Sequence, residues 1–180
     1  MTPLTSRELA LDKLGAEVTE TKKPLYLEDL TVGQKFLSDS YVMDTEQIKA
    51  FAAEFDPQPF HLDEHAAQVS LFRGLAASGW HTAAVAMRLL VTGGLPLANG
   101  IIGLGGEIAW PKPTRPGDTL RIESEIVEIT PSRSKPQQAI VTVRSVMRNQ
   151  NREPRPLRSV RRAQLPGFPG SDPLSCDCVL

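Results

Sequence analysis

Cysteine is nearly absent from this chain. Its two cysteines, Cys176 and Cys178, fall within five residues of the end, where they cannot staple a core. A reducing, cytoplasmic home is therefore expected. A prenylation signal would need a cysteine at 177, where Asp177 stands. No apolar run approaches the ~20 residues a membrane span requires. The segment MTPLTSRELALDKLGAEVTETKK carries acids throughout and lacks an apolar signal core, so no secretion signal is expected. Net charge is also lacking. At −1 over 180 residues, the chain as a whole has no electrostatic pull toward nucleic acid or an acidic membrane. Histidine is scarce too, at three residues, which leaves little for a metal centre.

A length of 180 residues suits one domain with a real core, or one domain with tails. Hydrophobic content of 41% is slightly low and 15 prolines is high, and both shifts trace to the two ends. Residues 1–23 read as an extension, in which SRELALDKLG has the makings of two helical turns between Ser6 and Gly15. One domain is expected over 24–165, with 166–180 as a disordered tail. No internal repeat is visible.

Within the domain, Gly33 marks a turn and Lys35 to Met43 a strand. In DTEQIKAFAAEFD, Ile48, Phe51, Ala52 and Phe55 recur at i, i+3, i+4, i+7, which predicts a helix with those four on its core face and Asp44 or Thr45 as cap. A brief helix capped by Asp63 follows, to Val69. In ASGWHTAAVAMRLLVTGG nearly every side is apolar, so that helix must be wrapped by other structure, with Gly93 and Gly94 ending it. Three strand-like segments come next: the glycine-broken IIGLGGEIAW, then DTLRIESEIVEIT with Leu120, Ile122, Ser124 and Ile126 alternating, then the β-branched QQAIVTVRSVMRN. A buried helix followed by antiparallel strands predicts an α+β fold, a curved sheet around a central helix. From Asn149 the chain turns proline- and arginine-rich without clean alternation. A solvated tail is the expectation for Arg152, Arg155, Arg158, Arg161 and Arg162.

The stretch EFDPQPFHLDEHAA holds the chemistry. Pro57 and Pro59 end the preceding helix and stiffen a loop that carries Asp56 and His61. An acid and an imidazole five residues apart on such a loop can contact one water. Gly79, at the start of the apolar helix, offers a free backbone N–H where the helix dipole favours negative charge. Ser78 is placed to cap that helix or to touch substrate. Taken alone, Asp56-Pro57 is also a good helix-ending turn, and His61 is also a plausible satisfied loop histidine.

FDPQPFH, ASGWH and WPKPTRPGDTL, with Gly79 eighteen residues after His61, together resemble the MaoC-like dehydratases, which include the (R)-specific enoyl-CoA hydratases. The resemblance runs from about Tyr26 to Asn149. It implies a hotdog fold and reversible hydration of a trans-2-enoyl-CoA to a (R)-3-hydroxyacyl-CoA. It assigns Asp56 and His61 as the catalytic pair and Gly79 as the oxyanion donor. No cofactor is implied beyond the coenzyme A thioester that is itself the substrate. A homodimer or dimer-based oligomer is the expected assembly, with no nucleic acid and no membrane as partner. The family signature Asp-x-Asn-Pro-aliphatic-His reads here Asp56-Pro57-Gln58-Pro59-Phe60-His61. With its amide one methylene further out than asparagine, Gln58 is expected to point at substrate or a neighbouring loop.

Three other readings remain beside this one. HLDEH, His61 to His65, matches the H-x-x-E-H zinc signature, but Pro59 and the cap at Asp63 put His61 ahead of the helix that motif requires. A hotdog thioesterase would normally place a carboxylate on the central helix, and this one has none. A non-catalytic acyl-CoA-binding or assembly subunit fits the altered signature and Arg73, which stands where the family usually has a small residue. His81 reads as a packed histidine bonded to backbone, with a substrate-cleft contact as the alternative, and Trp80 and Trp110 as core or cleft wall. Gly103, Gly105 and Gly106 read as a strand irregularity, not a phosphate loop.

Overall fold

The computed structural model describes residues 24–98, 100–135 and 138–166. The expected helix between Ser6 and Gly15 and the end of the chain with Cys176 and Cys178 lie outside them. After a short 3-10 turn (Leu27–Asp29) come β1 (Lys35–Leu37), β2 (Tyr41–Val42), α1 (Thr45–Phe55), α2 (Pro59–Leu62), α3 (Glu64–Val69) and α4 (Gly79–Leu89). The long strands follow: β3 (Ile102–Glu107), β4 (Thr119–Pro131), β5 (Gln138–Arg148) and β6 (Pro154–Pro166). The sheet is antiparallel in the order β1-β4-β5-β6-β3, with β2 also on β4. No helix among the described residues is long and apolar enough to cross a membrane.

Local chemistry accounts for most boundaries. Asp44 caps α1 by accepting from the Gln47 N–H at 2.8 Å, and Asp63 caps α3 through Ala66 at 2.7 Å. The expected strand from Lys35 to Met43 is broken because Ser38 turns inward. Its Oγ accepts from the Ile122 N–H at 2.9 Å and donates to the Asp39 carbonyl at 2.7 Å, so a side chain takes the place of a ladder bond. Leu120, Ile122, Ser124 and Ile126 do face inward, and Ser124 meets Ser145 of β5 at 3.1 Å so that neither hydroxyl is stranded. Val85, Ala86, Leu89 and Leu90 lie in one apolar cluster with these strands and with Val141, Val143 and Met147.

Three expectations need correction. Phe55 is not on the core face of α1; Ile48 and Ala52 are buried, while Phe55 is largely exposed. The central helix is not covered all round. Trp80, Ala84, Met87 and Val91, spaced i, i+4, i+7, i+11, form an exposed stripe on α4 and the wide turn after it. The segment after Asn149 is not a tail but β6, between β5 and β3. Pro156 and Leu157 are skipped in the register where Arg155 pairs Met147 and Arg158 pairs Val146, so Pro156, which has no N–H, falls in a bulge. The glycine-rich β3 has its own irregularity between Gly103 and Gly105, as expected.

Gly94 ends the helical run for a packing reason. A Cβ there would stand 2.8 Å from Ile122 Cγ2 and 3.0 Å from the Leu89 carbonyl oxygen. Gly94→Ala should therefore cost about 1–3 kcal/mol through overpacking. Thermal unfolding checks this: a melting temperature equal to wild type would refute the close contact.

Candidate active site

The loop after α1 delivers the two candidate groups. α1 ends at Asp56, whose N–H bonds the Ala52 carbonyl at 2.9 Å, and Pro59 opens the single turn of α2 that carries His61. Asp56 Oδ2 and His61 Nε2 come within 3.5 Å of each other. His61 is buried, and its Nδ1 lies 2.7 Å from the Ala76 carbonyl oxygen. A carbonyl only accepts, so Nδ1 carries the proton and, in the neutral ring, Nε2 presents a lone pair. Phe60 packs edge-on against this imidazole, with centroids 4.6 Å apart, and Phe72 flanks both rings. The aromatic residue at 60 thus walls His61 in.

Asp56 is held ionised. Partial burial works to raise its carboxyl, but the Ser78 hydroxyl, the Gln58 amide and the His61 ring together keep it below its ordinary 3.8. A depressed carboxyl contributes stability above its unfolded pKa, and that contribution disappears as pH falls through the folded value.

Ser78 has two jobs, of which the sequence suggested only the first. Its Oγ accepts from the Trp80 N–H at 3.2 Å, capping α4, and its hydroxyl proton goes to Asp56. Gly79 is the first residue of α4, so its N–H has no partner within the helix. The space over Gly79 belongs to Trp110, however. A Cβ would meet the indole Nε1 at 2.8 Å, and that N–H donates to the Gly79 carbonyl at 3.2 Å. Glycine is required here by the tryptophan. Gln58 also departs from expectation: its Nε2 donates to Asp56 Oδ1 at 2.7 Å instead of reaching toward substrate or another loop.

These groups share one pocket of about 680 Å³, lined by Asp56, Gln58, His61, Gly79, the aromatics Phe60, Phe72, Trp80 and Trp110, and the loop Pro111–Arg115. Arg115 ties that loop to the segment before α4. Its guanidinium donates to the carbonyls of Gly74 (2.5 Å), Leu75 (3.0 Å) and Phe72. Asp118 takes the Arg115 N–H at 2.9 Å and the amide of buried Asn149 at 3.1 Å, which fixes the loop to the end of β5. Sequence reasoning singled out WPKPTRPGDTL but missed this clamp, because partners about 40 residues apart leave no local pattern. Arg73 is not among the lining residues; it holds a left-handed turn at φ +50.

The zinc geometry fails. His61 lies in α2 and His65 in α3, with extended Asp63 between them, and no metal-holding group of His, Cys, Asp and Glu is found among the described residues. His81 is buried as expected and stacks on Phe51, with centroids 4.7 Å apart, but its buried Nδ1 meets no hydrogen-bond partner among the described residues instead of the expected backbone group. Burial pulls its pKa below the ordinary 6.5, with Asp44 opposing. The unfolded chain therefore takes up this proton first, and stability present above pH 6.5 is lost as pH falls below it. His81→Gln should flatten the acid side of a plot of melting temperature against pH. Parallel curves for the two proteins would refute this.

Residues 28–149 match the model of the MaoC like domain. The chain belongs to the MaoC-like family. It is 58% identical to a MaoC-like dehydratase from Rhodospirillum rubrum, covering 81% of this chain and 99% of that one, with a TM-score of 0.79. It is 27% identical to the (R)-hydratase from A. caviae involved in PHA biosynthesis, covering 78% of this chain and 99% of that one, at a TM-score of 0.58. It is 29% identical over 111 residues to the 3-hydroxybutyryl-CoA dehydratase of Methylorubrum extorquens, 62% of this MaoC-like chain and 69% of that relative. The α+β arrangement of curved sheet and central helix is the hotdog fold of these relatives.

Proposed function

We propose that this MaoC-like protein reversibly hydrates a trans-2-enoyl-CoA to a (R)-3-hydroxyacyl-CoA, without a cofactor. The observation that carries the reading is the facing of Asp56 Oδ2 and His61 Nε2 at 3.5 Å in a pocket that Gly79 also lines. Both atoms are hydrogen-bond acceptors. One water can give a hydrogen to each, which turns its lone pairs outward toward an electrophilic carbon. As the water oxygen bonds to C3, one of its protons passes to the Asp56 carboxylate. The electron pair of the double bond moves onto the thioester oxygen, where the Gly79 N–H at the helix start stabilises the enolate. The carboxyl then returns a proton to C2, and the balance closes at one water per double bond. The (R) outcome and the CoA carrier are taken from the (R)-hydratase and dehydratase relatives.

The assay is loss of the conjugated double bond of crotonyl-CoA, followed in the ultraviolet alongside free thiol. Absorbance loss without thiol supports the proposal. Thiol release would mean a thioesterase, and neither change would mean a binding subunit.

A second copy of the chain completes the proposal. β3 is the sheet edge and is exposed throughout, with Ile102 and Leu104 open to solvent, and α4 shows its apolar stripe. Pairing two copies covers an edge and a stripe that a monomer would leave in water. Light scattering should give twice 19.7 kDa; a monomer mass would overturn the pairing.

A further inference from the structure

Gln58 turns back on Asp56 at both of its ends. Its backbone N–H donates to the Asp56 carbonyl at 2.7 Å, and its side-chain amide donates to Asp56 Oδ1 at 2.7 Å. The amide orientation is unambiguous, because an ionised carboxylate can only accept. Pro57 and Pro59 flank the residue and fix φ on either side, so the loop has little freedom to present the amide elsewhere. A carboxylate has two oxygens. One is occupied by this bond, and the other is the one 3.5 Å from His61 Nε2. His61 is anchored from behind by the Ala76 carbonyl.

We propose that Gln58 is a positioning residue: by holding Oδ1 it sets the plane of the Asp56 carboxylate and leaves Oδ2 as the oxygen that faces His61 and the pocket. This rests on the hydratase reading above for its catalytic consequence, but the positioning itself does not. A charge-assisted bond of this length is stronger than a neutral one. It also favours the ionised form of Asp56, in the direction already noted for this carboxyl. Glutamine reaches Oδ1 across two residues of a proline-stiffened loop, and asparagine would fall one methylene short. The departure from the family signature is then a change in how the base is held.

The test uses Gln58→Leu, which keeps bulk but has no amide, and Gln58→Asn, which keeps the amide but shortens it. Carbon-13 NMR titration of the Asp56 carboxyl, assigned with Asp56→Asn, reads the positioning bond directly and needs no activity. Both variants should titrate at higher pH than wild type. With crotonyl-CoA, kcat should fall roughly tenfold to a hundredfold, the range for a bond to a charged group. KM should stay near wild type, and the acid limb of the pH profile should move up with the NMR midpoint. An unchanged Asp56 titration in Gln58→Leu would overturn the proposal, and so would unchanged kcat in an active enzyme. If wild type hydrates no enoyl-CoA, the function reading fails, while the NMR comparison still decides the role of Gln58.

Discussion

Asp56→Asn and His61→Ala should each lower kcat for enoyl-CoA hydration by roughly 10²–10⁴, the range for a positioned acid or base. That corresponds to about 2.7–5.5 kcal/mol of transition-state stabilisation. In the mechanism proposed above the two act on one water between Oδ2 and Nε2, whose separation of 3.5 Å leaves room for shared contact but not for a short direct bond. Once either acceptor is gone the water is no longer oriented, so the second loss has little left to remove. The double variant should therefore be only slightly worse than the poorer single one. Losses that multiply would show that the residues act on separate steps. Melting temperatures of all three variants separate this from unfolding, which matters most for buried His61.

A chain ending at Glu153 should lose cooperative unfolding altogether. β6 pairs with β5 from Arg148↔Pro154 to Gln138↔Pro166, and with β3 from Glu107↔Val160 to Ile102↔Gln164. Removing it strips β3 of its neighbour and leaves the β6-facing backbone groups of β5 unpaired beside the core residues Val141, Val143 and Met147. That loss is comparable with the ~5–15 kcal/mol that holds a whole domain together. A chain ending at Gly167 should melt as wild type does, since the sequence beyond it has no strand or helix pattern. Thermal or urea unfolding of the two truncations decides the matter. A cooperative transition in the shorter chain would show that β6 is dispensable.

Legibility in the sequence followed the range of the interaction. Asp44 and Asp63 were readable as caps because a cap is satisfied within three residues. The inward alternation of β4 was readable because the period of a strand is two. The stiff loop was readable because Asp56, Pro57, Pro59 and His61 lie within six residues, and prolines dictate backbone wherever they stand. β6 was misread as a tail because its prolines and arginines argue against a strand, and no local pattern reveals that strands wait on both of its sides. Phe55 was misassigned because helical spacing gives a face but not what the face meets.

By itself, then, the sequence determined the α+β class, the helix starts, the stiff loop with an acid and an imidazole, and the family to which they point. The tertiary structure alone decided which contacts make them a site. It put Trp110 over Gly79, clamped the loop before α4 with Arg115, and turned the Gln58 amide onto Asp56. The first two join residues 31 to 43 positions apart. The third spans only two positions, yet its direction depends on which polar group the folded loop brings within reach. Propensity and periodicity act along the chain. Hydrogen bonds and packing act through space, and a site is made of the second kind.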